Sequence, residues 1–248
     1  GSDYRLRYEK NDNLKITQAV AAYLADKENI QVIMTRSDDT FLSLEERTSF
    51  ANQNNADYFV SLHRNTGEGN GVETWIRSDA DDKTQALAKN IMDNLDAAGI
   101  SRNRGVKKGT QKSESKDYYV NLHTNMPACI VELGFMNSPT DNQLFDANID
   151  SYAKAIGDAV LKTYESYGKD GADAKESVED VPGTEEQTST ETGTGTTGQV
   201  LQNTPIENVS SLDATSHDWG LGSHTDDENR PLDAVNAQET CLLYTSPS

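Results

Sequence analysis

The sequence predicts an α/β fold in which a mainly parallel central sheet is covered by helices on both faces. Residues 58–63 and 128–133 are almost continuously apolar, which is typical of strands that are buried on both sides. Helical and strand patterns alternate over residues 1–167, and this order favours a parallel sheet because each crossover can be a helix. From Gly168 onward the chain is rich in Glu, Thr, Ser and Gly, so the predicted folded part ends there.

The individual elements rest on the spacing of apolar residues and on capping signals. Apolar positions recur at helical spacing in residues 13–25, with Asp12 or Asn13 as the predicted N-cap. Ser43 and Glu46 have the spacing of a capping box, which predicts a helix start. The predicted helices are residues 13–25, 43–54, 83–97 and 150–167, and the predicted strands are residues 30–35, 58–63, 71–76 and 128–133.

Charge and composition exclude several classes of protein. The net charge is −19, and about 16 acidic against 3 basic residues place roughly −13 of it after residue 167. This balance argues against binding nucleic acid through its phosphates, and no apolar stretch is long enough to predict a membrane span. Residues 168–248 are predicted to be a disordered acidic tail, in which residues 241–248 are open to interpretation as an artefact of read-through or assembly. Cys129 lies in an apolar run and is predicted to be a buried free thiol.

Three side chains are candidates for a chemical site. His63 ends an apolar strand, where an imidazole can bind a metal, although a hydrogen-bonded structural histidine explains the same pattern. Glu132 emerges from another apolar strand and indicates either a site or an ion pair with a neighbouring Arg or Lys. Glu9, taken alone, fits an ordinary acid near a helix start. Because ligands of such sheets bind beyond the carboxyl ends of the strands, His63 and Glu132 are expected at one edge.

Several separated motifs occur in a fixed order along residues 1–167. They are residues 8–14 (YEKNDNL), 35–39 (TRSDD), 44–47 (LEER), 51–52 (AN), 56–65 (ADYFVSLHRN), 103–107 (NRGVK) and 127–137 (PACIVELGFMN). Together they resemble the zinc-dependent N-acetylmuramoyl-L-alanine amidases of the amidase-3 type. The resemblance implies Zn²⁺ as cofactor, Glu9 and His63 as its ligands, and Glu132 as the catalytic acid and base.

The same resemblance implies the reaction, where it takes place and which residues contact the substrate. The expected reaction is attack of zinc-activated water on the amide that joins N-acetylmuramic acid to L-alanine in peptidoglycan, in the cell wall or outside the cell. Asn65, Arg64 and His123 are the candidates for substrate contacts, although the family often has a small residue where Arg64 stands. The family's first zinc ligand, a His on the first strand, would lie immediately upstream of Gly1. The chain is therefore expected to be a monomeric, amino-terminally truncated and impaired enzyme.

Two alternatives remain open at the level of sequence. The first is a binding module that has an amidase-like fold and holds peptidoglycan without cutting it. The second is a zinc peptidase or deacetylase that acts on another bond of the cell wall. The presence of Glu9, His63 and Glu132 together favours the enzyme over the binding module, since a binder has no chemical need for all three.

Overall fold

The computed structural model describes residues 7–28, 30–168 and 240–245, and these form an α/β fold around one six-stranded sheet. This confirms the predicted α/β class. The helices are α1 (Glu9–Leu24), α2 (Leu44–Gln53), α3 (Asp82–Ala97), α4 (Tyr119–His123), α5 (Pro139–Ala147) and α6 (Ile149–Tyr167). The strands are β1 (Gln31–Met34), β2 (Tyr58–Asn65), β3 (Val72–Ile76), β4 (Asn103–Lys108), β5 (Ala128–Phe135) and β6 (Thr240–Thr245).

The sheet is mixed, and the expectation of a mainly parallel sheet was wrong. The strand order is β1-β6-β2-β5-β3-β4. The β2–β5 and β3–β4 pairs are parallel, whereas β3 runs antiparallel to β5 and β6 runs antiparallel to both of its neighbours. The physical reason lies partly in residues 66–71, which join β2 to β3 without a helix. A connection this short reverses the chain, because a parallel crossover needs a dozen or more residues.

Two apolar cores lie against the sheet. The larger one packs α1, α3 and α6 against side chains such as Tyr58, Val60 and Val131. The smaller one packs α2 and α4 against side chains such as Phe59 and Ile130. Since successive residues of a strand point to opposite faces, the odd-numbered residues of β2 and the even-numbered residues of β5 share the face of the smaller core.

The capping signals explain where α2 begins but not where α1 begins. Ser43 accepts a hydrogen bond from the backbone of Glu46, and the Glu46 carboxylate accepts one from the backbone of Ser43, so the predicted capping box is confirmed. The predicted cap at Asp12 or Asn13 was wrong, because α1 begins at Glu9. Asp12 instead takes part in ion pairs with two arginines, and these tertiary contacts outweigh the local preference for a cap.

Some elements were not predicted from the sequence. Strand β4 and helix α4 are short, and α5 begins at Ser138-Pro139, where the Ser138 side chain accepts from a backbone amide. Residues 240–245, for which disorder was predicted, form strand β6, while the rest of the tail after Gly168 lies outside the described residues. No helix in the described part of the chain is long and apolar enough to cross a bilayer.

Candidate functional site

The centre of the candidate site is the pair of neighbouring strands β2 and β5. They run parallel, and their register places His63 directly beside Glu132. Both side chains lie on the face of the smaller core, near the carboxyl ends of their strands, where the sequence analysis expected them together. His63 is buried at 4% exposure, whereas Glu132 is partly exposed. A ring nitrogen and a carboxylate are therefore presented side by side from two rigid elements.

Glu9 joins this pair from the first turn of α1. Its Oε1 atom lies 2.9 Å from Nδ1 of His63 and accepts hydrogen bonds from the Arg64 backbone amide at 3.1 Å and from the Asn13 side chain at 3.3 Å. Glu9 is buried at 9% exposure, so its carboxylate is held against the imidazole away from bulk water. The structure thus brings together the three residues, Glu9, His63 and Glu132, that the sequence analysis singled out for metal binding and catalysis.

A second buried carboxylate, Glu73, extends the row of polar residues and was missed by the sequence analysis. Its Cα pairs with that of Glu132 across the β3–β5 register, so His63, Glu132 and Glu73 follow one another over three strands. Glu73 is 2% exposed and accepts hydrogen bonds from Asn65, Trp75 and Arg104, the last at 2.7 Å from Nε. The sequence contains a pattern that could have identified Glu73, because an acid within the strand sequence VETWI is as costly to bury as Glu132 is.

An open cleft of about 410 Å³ lies beside this row. Its lining includes the aromatic side chains of Trp75 and Phe135 and two basic side chains of strand β4. Asn65, a predicted substrate contact, belongs to the lining and donates to Glu73 through its side-chain amide. The cleft therefore offers apolar surface and polar groups one strand away from Glu132, as is common in sites for small ligands.

Arg64 does not face the cleft, and its predicted contact with substrate was wrong. The residue is 1% exposed and points to the opposite face from His63 and Asn65 because side chains alternate along β2. Its guanidinium donates to Asp12 and to Asn142 at 2.7 Å each, and burial lowers its pKa below the ordinary value. Arg64 is a structural ion-pair residue that ties α1 and α5 to the sheet.

His123, the third predicted substrate contact, ends helix α4 on the surface. Its side chain is exposed, and its ring stacks on that of Tyr119 with the centroids 3.9 Å apart. Its Nδ1 lies 3.0 Å from the Tyr119 carbonyl oxygen. His123 is not among the described residues that line the cleft, so its contact with substrate stays a prediction.

The donor set for a metal is incomplete within the described residues. Glu9 and His63 offer a carboxylate and an imidazole in contact, and both are ordinary zinc ligands. Within residues 7–28, 30–168 and 240–245, no group of three or more His, Cys, Asp or Glu side chains is arranged to hold a metal ion. The chemistry of the two donors suits zinc, but a catalytic zinc site normally has three protein ligands.

Comparison with known proteins assigns this chain to one family. The sequence profile of the N-acetylmuramoyl-L-alanine amidases matches residues 2–162. The uncharacterised protein YqiI of Bacillus subtilis is 34% identical over 163 residues, which cover 64% of this chain and 74% of YqiI. The sporulation-specific N-acetylmuramoyl-L-alanine amidase of the same organism is 31% identical over 134 residues, which cover 54% of this chain and 50% of that protein.

Solved structures share the fold. An N-acetylmuramoyl-L-alanine amidase from Clostridium difficile 630 has a TM-score of 0.61 at 32% identity, over 68% of this chain and 91% of that chain. The catalytic domain of CwlV, an amidase from Bacillus (Paenibacillus) polymyxa var. colistinus, has a TM-score of 0.58 at 30% identity, over 65% and 87% of the two chains. The similarity therefore covers most of these two solved chains but only half of the sporulation-specific amidase.

Proposed function

Since this chain belongs to the N-acetylmuramoyl-L-alanine amidase family, we propose that it carries the catalytic machinery of a peptidoglycan hydrolase. The bond cleaved is the amide between the lactyl group of N-acetylmuramic acid and L-alanine, and the place of action is the cell wall or the space outside the cell. The observation that carries the proposal is the contact between Glu9 and His63, with Glu132 beside them in register on the next strand.

Glu9 and His63 are the residues that would hold Zn²⁺. When bound, this ion lowers the pKa of a coordinated water and stabilises the negative charge that develops on the carbonyl oxygen. The hydrogen bonds from the Arg64 amide and the Asn13 side chain fix the Glu9 carboxylate, as the outer contacts of metal ligands generally do. With two donors from the described residues, zinc affinity and turnover are expected to be low unless a third donor is supplied.

Glu132 has the role of proton acceptor and donor. It stands on a rigid strand next to His63 and is partly exposed, so a water held at this place can reach its carboxylate. The carboxylate takes a proton from the attacking water and passes one to the leaving amine of L-alanine. This transfer is needed because an amide nitrogen leaves readily only after it has been protonated.

The test compares Glu132→Gln with the unchanged chain in excess Zn²⁺, on purified muropeptide. Release of the alanine amino group, identified by mass spectrometry, should fall at least about 100-fold, because general acid–base catalysis contributes that much. Zinc content should stay the same, since Glu132 is not one of the two proposed ligands. Glu165→Gln, an exposed residue of α6, is the matched control and should change neither quantity.

Three outcomes would contradict parts of the proposal. A large loss of zinc in Glu132→Gln would make Glu132 a ligand rather than the proton carrier. Full turnover by the unchanged chain, with one zinc ion retained through gel filtration, would refute the expected impairment. A product other than a peptide with free L-alanine would point to a peptidase or deacetylase that acts on another bond.

The open cleft lined by Trp75, Phe135 and several polar side chains also suits a second candidate function, a module that binds peptidoglycan without cutting it. Sedimentation with purified cell walls in excess Zn²⁺, together with product analysis, separates the two functions. Retention on the walls without released product supports the binder, and zinc-dependent release of peptide supports the enzyme.

A further inference from the structure

We propose that Arg104, fixed by Glu73, binds a free carboxylate on the peptide that leaves from the proposed substrate. This inference rests on the proposed function for the identity of that peptide. It adds a specificity-determining residue that lies in the cleft beside Glu132, on strand β4.

The Arg104 side chain is held in place before any ligand arrives. Its Nε donates to Oε2 of Glu73 at 2.7 Å, and its guanidinium lies over the Phe135 ring at 5.0 Å from the centroid. Glu73 is itself fixed by hydrogen bonds from Asn65 and Trp75 at 3.2 Å each. An arginine that is already ordered loses little conformational entropy when a ligand binds. The free energy of each contact with the ligand is therefore offset very little by the cost of ordering the side chain.

The ion pair leaves one edge of the guanidinium for a ligand. Within the described part of the chain, Nε is the atom of Arg104 that donates a hydrogen bond, while the side chain is 30% exposed and lines the cleft. The two terminal amino groups form a planar fork that matches the two oxygens of a carboxylate. An anchored arginine at the wall of a cleft is therefore better suited to a carboxylate than to a neutral amide.

The charges in the lining support an anionic ligand at this point. Glu73 is neutralised by Arg104, and Lys107, which pairs with Trp75 across the β3–β4 register, adds a second cation to the lining. Glu68, the other acid of the lining, is exposed in the loop after β2 and is screened by solvent. The two cations of the lining thus lie on the strands of the sheet, whereas Glu68 lies in an exposed loop.

The spacing matches a peptide that extends from the scissile amide. Strand β4 lies two strands from β5, a separation of about 10 Å at the usual spacing between strands. An extended peptide advances about 3.3 Å per residue, and an arginine side chain spans part of the remaining distance. The carboxylate would therefore belong to one of the first residues after L-alanine.

The experiment uses two synthetic muramyl peptides that differ only in a carboxylate or a carboxamide on the residue after L-alanine. In excess Zn²⁺, the unchanged chain should have the lower KM for the carboxylate. Arg104→Gln should raise KM for the carboxylate substrate by about 10- to 100-fold, the size expected when a hydrogen bond to a charged group is lost. It should alter KM for the carboxamide substrate little. Arg102→Gln, an exposed arginine next to β4, is the matched control.

A double variant separates recognition from folding, because Arg104→Gln leaves the Glu73 carboxylate buried without its cation. Arg104→Gln combined with Glu73→Gln removes both charges, and it should fold with an unchanged circular dichroism spectrum while still lacking the preference for carboxylate. Recovery of the preference in the double variant would overturn the proposal, as would equal KM values for the two substrates in the unchanged chain.

A binding measurement keeps this inference separate from the proposed catalytic function. The free peptides with carboxylate or carboxamide are titrated into the unchanged chain and followed by calorimetry. Tighter binding of the carboxylate that depends on Arg104, in a chain that releases no product, would sustain the inference and favour the peptidoglycan-binding module over the enzyme. Equal affinity for both peptides, or binding of neither, would overturn the inference even if hydrolysis occurs.

Discussion

Replacing Arg64 by Met should destabilise the protein strongly while leaving recognition in the cleft unchanged. Arg64 is 1% exposed, donates to Asp12 and Asn142 at 2.7 Å each, and lies with its guanidinium 4.3 Å from the centroid of the Phe145 ring. Methionine fills much of the same volume but supplies no donor. The side-chain amide oxygen of Asn142 therefore loses the hydrogen bond from Arg64, and Asp12 keeps Arg7 as its ion-pair partner among the described residues. Removing one member of a buried ion pair generally costs about 3–5 kcal/mol, and we expect a loss of this size.

Urea unfolding followed by far-ultraviolet circular dichroism measures this loss, because the midpoint shifts while the slope stays constant if only stability changes. Arg77→Met is the matched control. The Arg77–Asp79 pair is open to solvent, with side chains 37% and 67% exposed, so its loss should cost less than about 1 kcal/mol. A loss below about 1 kcal/mol for Arg64→Met would refute the reasoning. A normal midpoint with a raised KM would restore Arg64 as a substrate contact.

Three further predictions follow from local features. Gly134→Ala should cost at least about 2 kcal/mol in urea unfolding, because φ is +89° and an added Cβ would lie 2.8 Å from the Cβ of Asp141. The hydrogen bond from Arg7 lowers the pKa of Asp146, so the stability that Asp146 contributes is present above the unfolded value near 3.9 and is lost as the pH falls through the lower folded value; Asp146→Asn should flatten the acid side of the curve of melting temperature against pH. Burial raises the pKa of the Cys129 thiol, so peptide mass spectrometry should show iodoacetamide labelling of Cys129 that is slow in the native protein and fast in urea.

The positions of the main strands could be predicted because a strand that is buried on both faces has a continuous apolar sequence. The apolar runs of β2 and β5 identify them as covered strands, and their lengths alone place His63 and Glu132 near the strand ends. The direction of β3 could not be obtained in the same way. It depends on how the chain crosses the end of β5 through residues 66–71, and that path is a property of the assembled sheet.

The candidate site was predictable in part for a different reason. Glu9 lies in a helix that carries no local sign of a special role, so its contact with His63 came from the motif resemblance and not from its own surroundings in sequence. Glu73 does have a local sign in the sequence, but its ion pair with Arg104 has none. Glu73 is an acid in an apolar strand and could have been noticed, whereas the partner that neutralises it lies 31 residues away on a strand with weak apolar character.

Alternation along β2 explains which of the candidate residues face the site and which one does not. His63 and Asn65 share one face, and there they meet Glu9 and Glu73 respectively. Arg64 lies between them and points away, so its side chain anchors α1 through Asp12 while its backbone amide donates to Glu9. Both contacts act on the same helix, since Asp12 follows Glu9 by one turn. The three consecutive residues therefore have different roles. His63 and Asn65 present their side chains to the site, whereas Arg64 anchors helix α1, which supplies Glu9.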